Sequence, residues 1–78
     1  MMTLKIISAE QIEFEGAVEL VTLPGVMGQF QVLKNHAALI AALTKGTVSW
    51  VAEGRTESRK IHGGVADVKN NVVSVCLY

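Results

Sequence analysis

A chain of 78 residues reads as a single domain, and at this length it buries only about 60% of the surface its unfolded form exposes, so its core is thin. Half of the residues are hydrophobic, with few aromatics, a mixture that excludes disorder and suits a compact β-rich domain or a surface that meets a partner. The seven basic and seven acidic residues cancel and no basic run occurs, so neither nucleic acid nor anionic lipid is an expected partner. The lone cysteine, Cys76, has no internal disulfide partner and points to a reducing compartment. The N-terminus, MMTLKIISAEQ, carries Lys5 and Glu10 and lacks the apolar run of a signal peptide. No window approaches the roughly 18 consecutive apolar residues of a membrane span, so no direct membrane insertion is expected.

Thr3 to Ser8 (TLKIIS) is a short β-branched run and reads as a strand, followed by a turn at Ser8-Ala9-Glu10-Gln11. From Ile12 the pattern alternates: Ile12, Phe14, Val18, Leu20 and Leu23 stand against Glu13, Glu15, Glu19 and Thr22. This predicts a half-buried strand with its glutamates on the wet face, which Gly16 kinks or divides. Pro24-Gly25 supplies a fixed φ followed by a residue tolerant of positive φ, so the chain is expected to reverse there through a type II turn. Gly28 to Leu33 (GQFQVL) alternates again until Lys34-Asn35-His36 breaks it. Ala37 to Leu43 leaves two readings open: a short helix capped by Asn35, or a turn followed by a strand from about Leu39 to Leu43.

Thr47 to Glu53 (TVSWVAE) is a clear strand with Val48, Trp50 and Ala52 on one face, and Glu53-Gly54 is the next two-residue turn. Thr56 to His62 is the most polar strand and suits an edge. Gly63-Gly64 allows a bulge or tight crossing, Val65 to Val68 follows, and the asparagines of Lys69-Asn70-Asn71 tolerate a left-handed turn. Val72 to Leu77 is nearly continuous in apolar residues and reads as a strand buried on both faces, Cys76 included. Turn signals recurring every eight to ten residues or so predict a small all-β sandwich or barrel.

Little chemistry accompanies this architecture. His36, His62 and Cys76 are not at metal-ligand spacing, and the reading of surface histidines and an inert core thiol outweighs a metal site. Ser8, Ser49, Ser58 and Ser74 lack a nucleophile-elbow motif, and PGVMG matches no phosphate-binding glycine pattern, so neither a catalytic centre nor a cofactor is expected. Met27 and Phe30 are candidates for partner contact, with core packing favoured for Phe30. His36, in a loop between polar residues and an apolar run, is the one residue for which a functional reading competes evenly.

ISAEQ at Ile7 to Gln11, Phe14-Glu15-Gly16, LPG at Leu23 to Gly25, GQFQVL, NHAALI, Lys45-Gly46, Gly63-Gly64 and NxVxV at Asn71 to Val75 form an ordered set that spans nearly the whole chain. In order and spacing this set resembles the epsilon subunit family of bacterial F-type ATP synthases, called delta in mitochondria. The resemblance implies one flattened β-sandwich of about ten short strands over residues 1–78. It implies strand rather than helix at Leu39 to Leu43. It also implies a rotor subunit, not itself an enzyme, that binds the gamma subunit and the polar loops of the membrane c-ring and helps couple proton or sodium flow to ATP synthesis. The expected location is the cytoplasmic face of a bacterial cell membrane, peripherally bound.

By the same resemblance Ser8 and His36 match positions against gamma, and Ala41 stands where a threonine is common. Gln29, Phe30, Gln31 and Lys34 match the stretch facing the c-ring. The chain departs from the family there: Gln29 replaces a glutamate, Gln31 a glycine, Lys34-Asn35 a Pro-Gly pair and Ala38 a proline. The resemblance then implies that Gln29 offers the ring a hydrogen bond in place of a salt bridge, with Lys34 offering charge of the opposite sign. Ending at Tyr78, the chain is also expected to lack the family's C-terminal α-helical hairpin, and with it an inhibitory arm and a nucleotide site. The runner-up readings are a lipoyl- or biotinyl-type carrier modified at Lys69 and a generic β-sandwich adaptor.

Overall fold

The computed structural model describes residues 1–78 as nine strands and no helix. They are β1 (Met2–Ile7), β2 (Ile12–Val18), β3 (Leu20–Gly25), β4 (Gly28–Leu33), β5 (Leu39–Leu43), β6 (Gly46–Ala52), β7 (Arg55–Ile61), β8 (Gly64–Lys69) and β9 (Val72–Leu77). Hydrogen bonding links them in the order β2-β1-β9-β8-β5-β3-β6-β7, with β4 on the free side of β3. Only β1 and β9 run parallel. The contact between β5 and β3 is a single pair, Gly25 with Leu43, and there the sheet turns over on itself. Two layers result, β2-β1-β9-β8-β5 and β4-β3-β6-β7. Between them lie Leu4, Ile6, Leu43, Ala66, Val68, Val73 and Val75 from the first layer and Val21, Leu23, Val32, Val48, Trp50 and Ile61 from the second.

Alternation alone misplaces β2 and β3. Ile12, Phe14, Val18 and Leu20 share a parity, yet only Phe14 and Val18 face inward among them. A bulge sits opposite Ile6 and Ile7: Ile6 pairs with Phe14 and Ile7 with Ile12, leaving Glu13 as the extra residue. The extra residue reverses the phase and turns Ile12 out to solvent. At the other end the strands divide at Glu19 rather than Gly16, and this bend shifts the phase again, so Val21 and Leu23 are buried instead of Leu20. Gly16 leaves room for a neighbour: a Cβ there would lie 3.2 Å from the Phe14 ring. The hairpin after β3 is also displaced. Pro24 and Gly25 stay in the strand, paired with Gln29 and Gly28, and the chain reverses at Val26-Met27. Gly28, at φ 128°, takes the backbone conformation assigned from sequence to Gly25.

The later turns follow their residues. Glu53-Gly54 and Asn70-Asn71 both have positive φ at the two central positions, as two-residue hairpins of this twist require. Leu39 to Leu43 is strand, and β7 is the exposed edge. The strand β9 is not buried on both faces. Its neighbours β1 and β8 satisfy its backbone, Val73 and Val75 enter the core, and Cys76 lies exposed on the outer side.

The two ends of the sheet, β2 and β7, meet through side chains alone. Phe14 packs on Trp50 of β6 with ring centroids 4.7 Å apart and planes tilted by 40°. Arg59 of β7 reaches Glu13, the bulged residue, as an ion pair. The aromatic contact contributes about 0.5–1.5 kcal/mol beyond burial. The ion pair adds a few tenths of a kcal/mol or so, because the arginine is substantially exposed. The Trp50 indole N–H is the one buried side-chain polar atom without a partner.

Phe14→Ala opens this seam and lowers unfolding free energy by about 2 kcal/mol, less than a fully buried phenylalanine because the ring is only partly buried; urea unfolding followed by the fluorescence of the single tryptophan measures it. At Gly64 an added Cβ would lie 2.3 Å from the Cys76 carbonyl oxygen across the β8–β9 ladder. Gly64→Ala is therefore expected to cost about 3 kcal/mol or more, because a backbone atom has to move.

Candidate functional site

No three His, Cys, Asp or Glu side chains come together in a group that could hold a metal ion. What the fold offers instead is surfaces. On the outside of the first layer the strand registers stack one residue from each strand into a row. Ala42 pairs with Val65, Val65 with Cys76, Cys76 with Ile7 and Ile7 with Ile12. Five adjoining strands thus present a continuous apolar line, and Ile40, 75% exposed, extends it along β5. Directly opposite residues share a sheet face, so these side chains stand together.

The outer face of the second layer has a different chemistry. Its middle row is Gln31, Thr22, Ser49 and Ser58, all uncharged hydrogen-bonding groups, beside a shorter apolar row of Leu33, Leu20 and Val51. The first face suits burial against an apolar partner surface. The second suits contacts that stay wet.

The residues assigned to the c-ring all lie on or beside β4, an edge strand bonded only to β3. Gln29 and Gln31 are exposed on its outer side, whereas Phe30, opposite buried Leu23, turns inward against the core. Met27, 96% exposed, forms the tip of the hairpin. Lys34 follows the other end of β4, roughly 16 Å from Gln29 by strand rise, in a cleft with Glu19 and Glu53.

The residues assigned to gamma are spread along the first layer. Ser8 ends β1, where its N–H donates to the Gln11 carbonyl at 2.9 Å and its hydroxyl lies 3.3 Å from the same oxygen, so the side chain is engaged within its own turn. His36 lies toward the opposite end. The Asn35 N–H donates to Asn71 Oδ1 at 2.6 Å and Asn71 Nδ2 donates back to Asn35 Oδ1 at 3.2 Å, tying its loop to the β8–β9 turn, whose Asn71 carbonyl receives the N–H of Thr3 at the start of β1. The His36 Nδ1 lies 2.7 Å from the Ala37 carbonyl, which only accepts, so Nδ1 carries the proton and Nε2 is left free. Ala41 pairs with buried Ala66 and faces the inner side of β5.

Asn35 has φ 68°, which accounts for its standing where the resembled family has glycine: asparagine is among the few other residues that adopt this conformation readily. Lys69, the carrier-type candidate, is the last residue of β8 and pairs with Val72; the hairpin tip is Asn70-Asn71. The apolar row escaped sequence reading because it exists only across strands. Each strand contributes one residue, and no stretch of chain shows the line. Asn71→Ala removes both side-chain bonds to Asn35 and leaves alanine at a φ of 62°, so it is expected to cost about 2 kcal/mol while accelerating amide exchange at Asn35 and His36, read by hydrogen–deuterium exchange.

The profile of the family described as ATP synthase, Delta/Epsilon chain, beta-sandwich domain, matches residues 1–77. An ATP synthase epsilon chain of Chlorobaculum tepidum is 41% identical over 70 residues, covering 88% of this chain and 80% of that one. The chain spans about half the length of several other curated epsilon chains it matches. Among solved structures, a chain of the Euglena gracilis mitochondrial ATP synthase (OSCP/F1/c-ring) superposes with a TM-score of 0.91 at 23% identity, covering 97% of this chain and 49% of that chain. A chain of the Tetrahymena thermophila mitochondrial ATP synthase central stalk and c-ring gives 0.82 at 11% identity, covering 97% and 62%. At such identities the two structures speak for the fold alone. With a family match over almost its full length, the chain belongs to the β-sandwich domain family of ATP synthase delta/epsilon chains.

Proposed function

We propose that the chain is a non-catalytic subunit of the central stalk of an F-type ATP synthase, which binds the gamma subunit and the c-ring and turns with them, coupling ion flow to ATP synthesis. Its place is peripheral, on the cytoplasmic face of a bacterial membrane. The observation that carries this reading, beside the family match, is the apolar row Ala42, Val65, Cys76, Ile7 and Ile12 on an otherwise mixed surface. A chain with so thin a core gains nothing in its own stability from aligning apolar side chains outside it; a partner surface does.

In this reading gamma lies along the outer face of β5-β8-β9-β1-β2, with Ser8 toward one end of that face and His36 toward the other. Ala41 supports the surface from within by setting β5 against β8. The c-ring loops meet the β3–β4 hairpin, where Gln29 and Gln31 offer amides and Phe30 anchors the strand from below. A ring loop lying lengthwise along β4 touches Gln29, Gln31 and Lys34 together; one that meets the hairpin end-on touches Met27 and Gln29. Torque transmission calls for stiffness, and 40 of the 47 backbone hydrogen bonds lie within the strands, so little of the chain is left to flex.

Calorimetric titration of the chain into the gamma subunit from the same source tests the reading. Ile12→Asp and Ile40→Asp each place a charge into the apolar contact at a position where both side chains are exposed, so folding is little affected. Each is expected to weaken binding by about tenfold or more. Wild-type affinity in both variants, or no binding by the wild-type chain to folded gamma, would contradict the proposed face.

A further inference from the structure

The surface carries three open concavities, and their charge differs. One of about 480 Å³ holds Lys34 with Glu19 and Glu53. Another, about 430 Å³, holds Lys69 with Asp67. In both, a cation has acid beside it. The third, about 440 Å³, is lined by Lys45, Gly46, Thr47, Lys60, Ile61 and His62, with no acid among them. The ion pairs of the molecule, Lys5 with Glu15 and Arg59 with Glu13, leave Lys45 and Lys60 without a carboxylate partner.

Strand register produces this concentration. Lys45 directly precedes β6 and His62 directly follows β7, while Gly46 pairs with Ile61 and Thr47 with Lys60. The open end of the β6–β7 hairpin therefore gathers two ammonium groups, an imidazole and a hydroxyl from its two strands. The nearest acid along β7, Glu57, pairs with buried Trp50 and so lies on the opposite face from Lys60. Glu53 lies beyond the far end of β6. On a chain of zero formal net charge, this is a local excess of unopposed cations, whose mutual repulsion a bound anion relieves.

The donor set narrows the anion's chemistry. Two ammonium groups supply charge and several N–H donors, and the Thr47 hydroxyl and His62 ring add directional ones. Several oxygens sharing more than one negative charge satisfy that set better than a single carboxylate. The cleft is open, and Ile61, its buried floor, is the one hydrophobic residue lining it; the charged and hydroxyl ends around that floor grip a charged group and leave the rest of the ligand in solvent. We propose that this cleft is an anion site for phosphate groups, with Lys45 and Lys60 as its charges and Thr47 and His62 as hydrogen-bonding partners. A soluble phosphate compound and a phospholipid headgroup present the same group to it. The site stands independently of docking to gamma.

The test is a titration of the isotopically labelled chain with inorganic pyrophosphate at constant ionic strength, read by amide chemical shifts, in the wild type and in Lys45→Gln and Lys60→Gln. The expected result is saturable shifts confined to Lys45–Thr47 and Lys60–His62, with affinity reduced roughly fivefold by each substitution. Both lysines are exposed, so folding is unaffected. Equal, non-saturating shifts around Lys34 and Lys69, or affinity indifferent to both substitutions, would overturn the site. Co-sedimentation with phosphatidylglycerol–phosphatidylcholine vesicles, against phosphatidylcholine alone, then separates the sources. Pelleting that depends on Lys45 and Lys60 assigns the site to headgroups, and saturable pyrophosphate binding without pelleting assigns it to soluble phosphate compounds.

Discussion

The structure depends on closing one sheet upon itself without a closing ladder. Eight strands in a continuous hydrogen-bonded order wrap round a core of aliphatic side chains and Trp50, and β2 meets the far end of the sheet through side chains, Phe14 on Trp50 of β6 and Glu13 with Arg59 of β7. The bulge at Glu13 makes both contacts available. By inserting one residue it frees Glu13 from the ladder to reach Arg59, leaves Phe14 facing inward, and sends Ile12 outward. Gly16 completes the arrangement by leaving the Phe14 ring space to lean over the strand. A local irregularity in β2 thus serves the closure of the core and, through Ile12, the outer apolar row.

Much of the fold was legible along the chain because strands and two-residue turns write themselves locally. The positive-φ turns at Glu53-Gly54 and Asn70-Asn71, the polar edge β7 and the strands β4 and β6 follow from alternation and turn chemistry. The order of motifs identified the family. What alternation could not show is where its phase slips. The bulge at Glu13 and the bend at Glu19 each reverse the facing of the residues that follow, and Pro24-Gly25 stays in a strand because Gly28, not Gly25, provides the positive φ. Cys76 is exposed for a related reason: a continuous apolar run implies two buried faces, but in β9 one of those faces is the outer row.

The candidate surfaces were less legible than the fold. Ser8, His36 and the β4 residues could be named by resemblance, but their relation to one another is a matter of tertiary placement. The structure sets Ser8 and His36 toward opposite ends of one layer, puts Gln29 and Gln31 side by side, and turns Phe30 to the core. The apolar row is assembled by register from single residues on five strands, and the cationic cluster by the β6–β7 register, which brings Lys45 to Lys60 and His62, so neither composition nor alternation reveals them. The proposed role calls for two separate contact regions on one stiff body, and a closed sheet with dissimilar outer faces offers them.

Cys76 offers the most direct measurement. It is the single cysteine, it is exposed, and it occupies the middle of the apolar row between Val65 and Ile7. The rate of its alkylation, followed by the intact mass of this chain, reports whether that face is covered. The account predicts rapid modification of the chain alone and protection of roughly tenfold or more once gamma is bound at saturating concentration. Equal rates in the free chain and in a complex shown to be fully formed would contradict it and move the gamma interface to another face of the sandwich.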